Sequence, residues 1–209
     1  MKLCVFDFDS TLMDGETIDF LAKELNFEKE VSAITKSAMQ GEIDFFESLC
    51  KRVEFLKGLP KSKVDDICHN LPYMNGAKET IKNLKKRGYR VVVFSGGFRN
   101  ATSYAKDILG YDADFSNVLH VKGDNLSGLV GGDMMFGFSK GDMLLRLQAL
   151  LNIDKNSTMV VGDGANDLSM FKYAKTRVAF CAKDVLKSEA NLVIDEKDLT
   201  KILESDICI

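Results

Sequence analysis

At 209 residues, with 45% hydrophobic and 28% charged residues, the chain has length and apolar content for one α/β unit carrying a sizeable insertion, or for two small domains. A formal net charge of -3, with lysines dispersed and the densest basic run (Lys82 to Arg87) falling on the polar face and C-terminal end of a predicted helix, leaves no basic field for nucleic acid. No apolar segment approaches a membrane span, and Asp7 and Asp9 interrupt the N-terminal apolar run too early for a signal peptide, so a cytoplasmic protein without a membrane partner is expected.

The first predicted element is a strand, Leu3 to Phe6, continuously apolar as buried parallel strands are, with Asp7 and Asp9 where it should end. Desolvated like charges repel. The pair therefore calls for a bound cation, a bidentate basic partner or a shared proton, unless both acids lie in a solvated turn capping the next helix through Ser10, Thr11 or Asp14. Glu16 to Asn26 then carries Ile18, Leu21, Ala22 and Leu25 at helical spacing. Phe45, Leu49, Val53 and Leu56 share a face of a further helix, and Val64, Ile67, Cys68 and Leu71 a face of another. Residues 14–71 show no convincing strand, which predicts a helical cap domain inserted between residues 1–13 and 72–209 of a catalytic core. Pro72 and Gly76 punctuate the return, and residues 13–15 and 71–76 are the expected hinges of a cap that opens and closes.

From there helices and strands alternate. A helix (Ala77, Ile81, Leu84) leads to a strand, Arg90 to Phe94, ended by Ser95-Gly96-Gly97; the following helix stops at Gly110. Asn117 to Asp133 reads as a small β-hairpin flap. A helix with Met143, Leu144, Leu147 and Leu150 on one face precedes a strand, Thr158 to Val161, and the turn Gly162 to Asp167. Strands Val178 to Cys181 and Leu192 to Ile194 complete an α/β, Rossmann-like parallel sheet, whose ligands should bind beyond the carboxyl ends of its strands. The five cysteines are odd in number, without CxxC spacing, and with two histidines give no zinc-type ligand set; free thiols are expected.

Three strand ends carry unusual chemistry. Asp7, Asp163 and Asp167, with a backbone carbonyl and waters, offer the hard oxygens that Mg²⁺ prefers. Ser95, Gly96 and Gly97 can present N–H groups to an anion without a Cβ in the way, or form a plain strand-to-helix turn. Gly162 to Asp167 can equally be a helix start capped by Asn166 or Asp167. A carboxylate aimed at phosphorus is a competent nucleophile, so Asp7 could form an aspartyl phosphate while Asp9 serves as general acid and then base. Lys140, at a helix start, could neutralise charge developing on phosphoryl oxygens, or could simply be solvated.

Asp7-Phe8-Asp9-Ser10-Thr11, the Ser95 segment, Lys140 and Gly162-Asp163-Gly164-Ala165-Asn166-Asp167 stand in the order of the four motifs of the haloacid dehalogenase superfamily of aspartate-nucleophile phosphatases, which the chain resembles nearly end to end. The resemblance implies a Rossmann-like core beneath a helical cap, and magnesium-dependent hydrolysis of a small-molecule substrate, O-phospho-L-serine, as the last step of serine biosynthesis. It implies Asp7 as nucleophile and metal ligand, Asp9 as acid-base and as metal ligand through its carbonyl, Asp163 as metal ligand, and Asp167 as support for the metal directly or through a neighbouring ligand. By the same resemblance Ser95, Gly96, Lys140 and Asn166 contact phosphate and substrate, Glu16 and Arg52 hold the amino acid, and Met39 and Phe45 surround it. A glutamate and an arginine are complementary to an ammonium and a carboxylate. Phosphoryl transfer from phosphoserine to homoserine, or hydrolysis of another small phosphomonoester, is the alternative; the assembly is expected to be a monomer or homodimer.

Overall fold

A computed structural model describes residues 1–39 and 42–205, Met39 by its backbone alone. Seven strands form one sheet: β1 (Lys2–Asp7), β2 (Tyr89–Phe98), β3 (Ala113–Lys122), β4 (Asn125–Gly132), β5 (Thr158–Gly162), β6 (Thr176–Phe180) and β7 (Leu192–Ile194). Their order is β4-β3-β2-β1-β5-β6-β7, and every neighbouring pair is parallel except β3 and β4. The order reverses at β1. Two crossovers diverge there and leave a crevice beyond its carboxyl end. Register brings the predicted strand ends level: Asp7 faces Phe94 of β2, one residue before Ser95, while Phe6 faces Val161 of β5, one before Gly162.

Successive residues of the central strands enter opposite cores, as the pleat requires. Cys4, Phe6, Val91, Val93, Met159 and Val161 belong to one apolar cluster, and Leu3, Val5, Val92, Phe94 and Val160 to the other. Burial on both faces is why these strands read as unbroken apolar runs. Against the first face pack α5 (Ala77–Lys86), α6 (Arg99–Leu109) and α10 (Lys201–Glu204); against the second, α7 (Ser139–Leu151), α8 (Leu168–Phe171) and α9 (Asp184–Lys187).

Between β1 and α5 the chain forms α1 (Thr17–Glu24), α2 (Glu28–Met39), α3 (Phe45–Glu54) and α4 (Lys61–His69). Leu21, Val31, Leu49, Val53 and Val64 of these helices join the first cluster. The two crossings are stitched together: Asp14 N–H donates to Pro72 O at 2.9 Å and Met74 N–H to Leu12 O at 2.9 Å. The helix expected over Glu16 to Asn26 stops at Glu24, with Asn26 at φ 59, and a separate α2 follows, in which Val31 is the one fully buried residue among the described side chains.

Other boundaries differ for physical reasons. Ser95-Gly96-Gly97 does not end β2; the strand runs on to Phe98, with its pairing to β3 shifted between Phe94 and Phe98. The hairpin stands where expected, its antiparallel pairing running from Asn117 opposite Gly132, but strand β3 itself begins earlier, at Ala113, because it first extends the parallel sheet along β2. Nor does it hang free. Gly58 N–H donates to Leu126 O at 2.9 Å, Leu126 N–H to Leu59 O at 2.8 Å and Lys61 N–H to Asp124 O at 2.8 Å, which fastens β4 to the α3–α4 connection. On α7 the buried face runs through Gly141, Leu144 and Gln148, while Leu150 is 79% exposed. Gln148 takes the inward place because its amide donates to Thr158 Oγ1 and Tyr173 O, satisfying its polar atoms.

Candidate active site

Asp7 leaves β1 buried, at 3% exposure, so the two acids do not share a solvated turn. Its Oδ1 accepts the Phe8 N–H at 2.7 Å and lies 2.6 Å from Lys140 Nζ. Lys140, also 3% exposed, enters from the first turn of α7 and reaches Asp167 Oδ1 at 2.7 Å with the same ammonium. The solvated reading of Lys140 therefore fails. The other oxygen of Asp167 accepts the N–H groups of Asp163 at 3.0 Å and Gly164 at 3.1 Å, closing the loop after β5. This carboxylate lies so close to Gly162 that a Cβ there would overlap it, so position 162 requires glycine.

Oxygens of Asp7, Asp163 and Asp167 lie within 4.8 Å of one another. Three convergent carboxylates against one lysine leave excess negative charge in a dry place, and their donor set fits a hard divalent cation such as Mg²⁺. Burial, then repulsion from Asp167, raises the Asp7 pKa to about 7 against the pull of Lys140. Burial, then Asp7 and Asp167, raises Asp163 to about 9. Burial opposes charge on Lys140, yet the two aspartates hold its pKa above the ordinary lysine value.

Asp9 turns its side chain elsewhere. Its Oδ1 accepts the N–H of Thr17 at 2.7 Å and the Thr17 hydroxyl at 2.5 Å, and its Oδ2 accepts the Ser95 hydroxyl at 3.3 Å. The caps expected at Ser10, Thr11 or Asp14 do not form: Glu16 holds the N-cap place of α1 without a side-chain bond, and Asp9 receives the Thr17 N–H instead. Burial raises its pKa, opposed by the Thr17 bonds. Ser95 is fully buried and its hydroxyl oxygen accepts the Gly97 N–H at 2.9 Å. Gly96 is required for approach: a Cβ there would come 2.9 Å from the Phe45 ring, which leans in from α3.

A cavity of about 780 Å³ joins these groups to the inserted helices, its lining including Asp7, Asp9, Gly96, Asp163 and Asn166 together with Glu16, Asp19, Phe45, Ser48 and Arg52. Glu16 Oε1 accepts the Ser10 hydroxyl at 2.7 Å, and burial, then the charge of Asp9, raises its pKa to about 8. Arg52 Nε donates to Ser48 O at 3.3 Å; burial lowers its pKa, opposed by Glu16 and Asp19. The fold thus gathers Asp7, Asp9, Glu16, Phe45, Arg52, Ser95, Gly96, Lys140, Asp163, Asn166 and Asp167 around one cavity or in contact with its lining. The side chain of Met39 lies outside the described residues, as does Cys208; Cys4, Cys50, Cys68 and Cys181 are not joined in disulfides.

Two supporting residues carry no warning in the sequence. Thr17 orients Asp9, and its signal, a hydroxyl at the start of α1, is visible but without an object. Asn117, fully buried on β3, donates to Gly96 O at 3.0 Å and Met134 O at 3.1 Å and accepts the Met134 N–H at 3.0 Å. It ties the Gly96 backbone to the chain leading into α7, a junction that local sequence does not reveal.

The raised carboxylates set a pH dependence. Asp7, Glu16 and Asp163 hold protons more tightly folded than unfolded, so their contribution to stability is intact below their ordinary values of 3.8, 4.5 and 3.8 and is lost as pH rises through about 7, 8 and 9. In EDTA the thermal midpoint is expected to fall between pH 5 and pH 9, and added Mg²⁺ is expected to recover it most at the alkaline end. A midpoint insensitive to both would mean that these buried carboxylates do not repel one another.

A family model described as haloacid dehalogenase-like hydrolase matches residues 1–175. The chain is 62% identical over 203 residues to the phosphoserine phosphatase of Wolinella succinogenes, covering 97% of this chain and 98% of that one. It is also similar to a solved structure described as a phospho-aspartyl intermediate analogue of phosphoserine phosphatase, with a TM-score of 0.92 and 48% identity over 97% of each chain. A substrate-bound phosphoserine phosphatase complex superposes with a TM-score of 0.92 at 47% identity, again over 97% of each chain. Among the described residues no helix is long and apolar enough to cross a membrane.

Proposed function

The chain belongs to the haloacid dehalogenase-like hydrolase family, and from that premise we propose that it is a cytoplasmic, magnesium-dependent phosphatase that hydrolyses O-phospho-L-serine to serine and phosphate, completing serine biosynthesis. The observation that carries the reading is one cavity whose lining holds both the acids Asp7 and Asp163, with Lys140 paired to Asp7 behind it, and the complementary pair Glu16 and Arg52. Residues 14–71 act as a cap over a core of residues 1–13 and 72–209. Glu16 takes the ammonium of the amino acid, Arg52 its carboxylate, and the ring of Phe45 its methylene.

Asp7 attacks phosphorus with a carboxylate oxygen; an O–P bond forms as the seryl ester O–P bond breaks. Asp9, whose burial favours the protonated form, gives its proton to the departing seryl oxygen. The resulting Asp9 carboxylate then takes a proton from the water that attacks the aspartyl phosphate, and the Asp7 oxygen leaves with both electrons of its bond to phosphorus. Lys140 balances charge on the phosphoryl oxygens, and Ser95, Gly96 and Asn166 hold them in place. Asp7, Asp163, Asp167 and the Asp9 carbonyl would hold magnesium, which would supply the positive charge that lets two anions meet. Similarity to a phospho-aspartyl intermediate analogue and to a substrate-bound complex supports this order of steps.

Phosphate release tests it, with L-phosphoserine and O-phosphoethanolamine compared in magnesium and in EDTA. Arg52→Ala is expected to raise the KM for phosphoserine about 10- to 100-fold, the equivalent of one hydrogen-bonded charge pair, and to leave the ester without a carboxylate nearly unchanged. Equal effects on both esters would remove Arg52 from substrate selection.

A further inference from the structure

Three phenylalanines stack beside the cavity. Phe46 of α3 lies on Phe136 with ring centroids 5.2 Å apart and planes 13° from parallel, and Phe136 lies on Phe138 at 5.2 Å and 5°. These are offset stacks within the attractive range for aromatic pairs. The rings are not core residues: Phe46 is 41%, Phe136 46% and Phe138 59% exposed. Their neighbours in the chain, however, belong to the site. Phe45 and Gly137 both line the cavity. The Phe136 N–H donates to Ser139 Oγ at 3.1 Å, and the next residue is Lys140, so the stacked loop is built onto the turn that delivers the buried ammonium. Phe46 lies on the helix that carries Arg52. The stack therefore joins two walls of one cavity, and it does so where water can reach the rings.

We infer that Phe46 is a positioning residue: stacked on Phe136, which in turn lies on Phe138, it clasps the α3 wall bearing Arg52 to the loop that leads into Lys140. This rests on the phosphoserine reading. That substrate must be held at both ends, so the distance between Arg52 and Lys140 matters to its binding. A half-exposed aromatic pair is worth about two- to twelvefold in an equilibrium, enough to bias the two walls together and weak enough to part during each turnover. Truncating Phe46 removes that bias without opening a cavity in either core.

Phe46→Ala is expected to raise the KM for L-phosphoserine about two- to twelvefold with kcat not reduced and the thermal midpoint little changed, and Phe46→Trp to restore KM, since indole can stack in its place. The chain has no tryptophan, so Phe46→Trp also introduces a single emission reporter. Its quenching by acrylamide should increase when Phe136→Ala is added. An unchanged KM in Phe46→Ala, a lowered midpoint without a KM effect, or quenching of the tryptophan indifferent to Phe136 would each overturn the clasp. Should the wild type release no phosphate from phosphoserine, the substrate reading fails on its own, and the quenching comparison still decides whether the two walls are joined through these rings.

Discussion

Asp7→Asn is expected to abolish phosphate release from every ester while leaving the metal-free protein at least as stable as the wild type. The carboxamide keeps the shape of the side chain and removes its nucleophilicity. Since both halves of the proposed reaction pass through this one oxygen, the expected loss is on the order of 10⁴ or more. Stability moves the other way. Asp7 is buried among Asp163 and Asp167, and its pKa of about 7 expresses how poorly its charge is accommodated there. Removing that charge relieves repulsion at alkaline pH, while Lys140 retains Asp167 at 2.7 Å. Phosphate release and thermal midpoints at pH 8 in EDTA check both halves. Residual activity within tenfold of wild type would exclude Asp7 as the nucleophile.

Lys140→Met is expected to remove activity as well, by about 10³-fold, from loss of a fixed charge at the phosphoryl oxygens. Its effect on the fold is opposite in sign to that of Asp7→Asn. Methionine matches the apolar stem but leaves Asp7 and Asp167, which are 5% and 0% exposed, without their shared ammonium. Breaking a buried pair from one side costs about 3–5 kcal/mol. Magnesium should return part of that stability by neutralising the same carboxylates, without returning activity, because the fixed ammonium is still missing. Denaturation midpoints with and without Mg²⁺, measured beside turnover, read the two effects separately. Full stability in EDTA would mean that Lys140 does not hold these acids together.

The two substitutions separate charge that must be present from charge that must be balanced. Asp7 is destabilising where it stands and is kept for chemistry; Lys140 makes that placement tolerable. Glu16 repeats the pattern elsewhere in the lining of the cavity, where burial and the charge of Asp9 raise its pKa to about 8, and an incoming ammonium would relieve it.

Much of the fold and site is legible from residues alone, because local order carries it. Apolar runs such as Val91 to Phe94 mark strands buried on both faces, glycine at 110 marks a helix end at φ +83, and acids placed just after apolar runs mark the ends of β1 and β5. The family likeness draws the same residues together. Where each polar group points is another matter. Asp9 could be a cap or an acid, and it serves α1 and faces Ser95 at once. Lys140 reads locally as a solvated helix start, yet it is buried between two aspartates contributed by β1 and by the loop after β5. Asn117 and the three stacked phenylalanines carry no signal, since their partners lie on distant segments.

Periodicity and turn chemistry act over a few residues, whereas desolvation, ion pairing and ring stacking depend on which surfaces the sheet brings together. Residue order alone was therefore enough for the elements, their parallel arrangement and the chemical types at each strand end. It took the folded chain to establish that Asp7, Lys140, Asp163 and Asp167 share one dry site, that β4 is fastened to the α3–α4 connection, and that Phe46 reaches across to the loop beside Lys140.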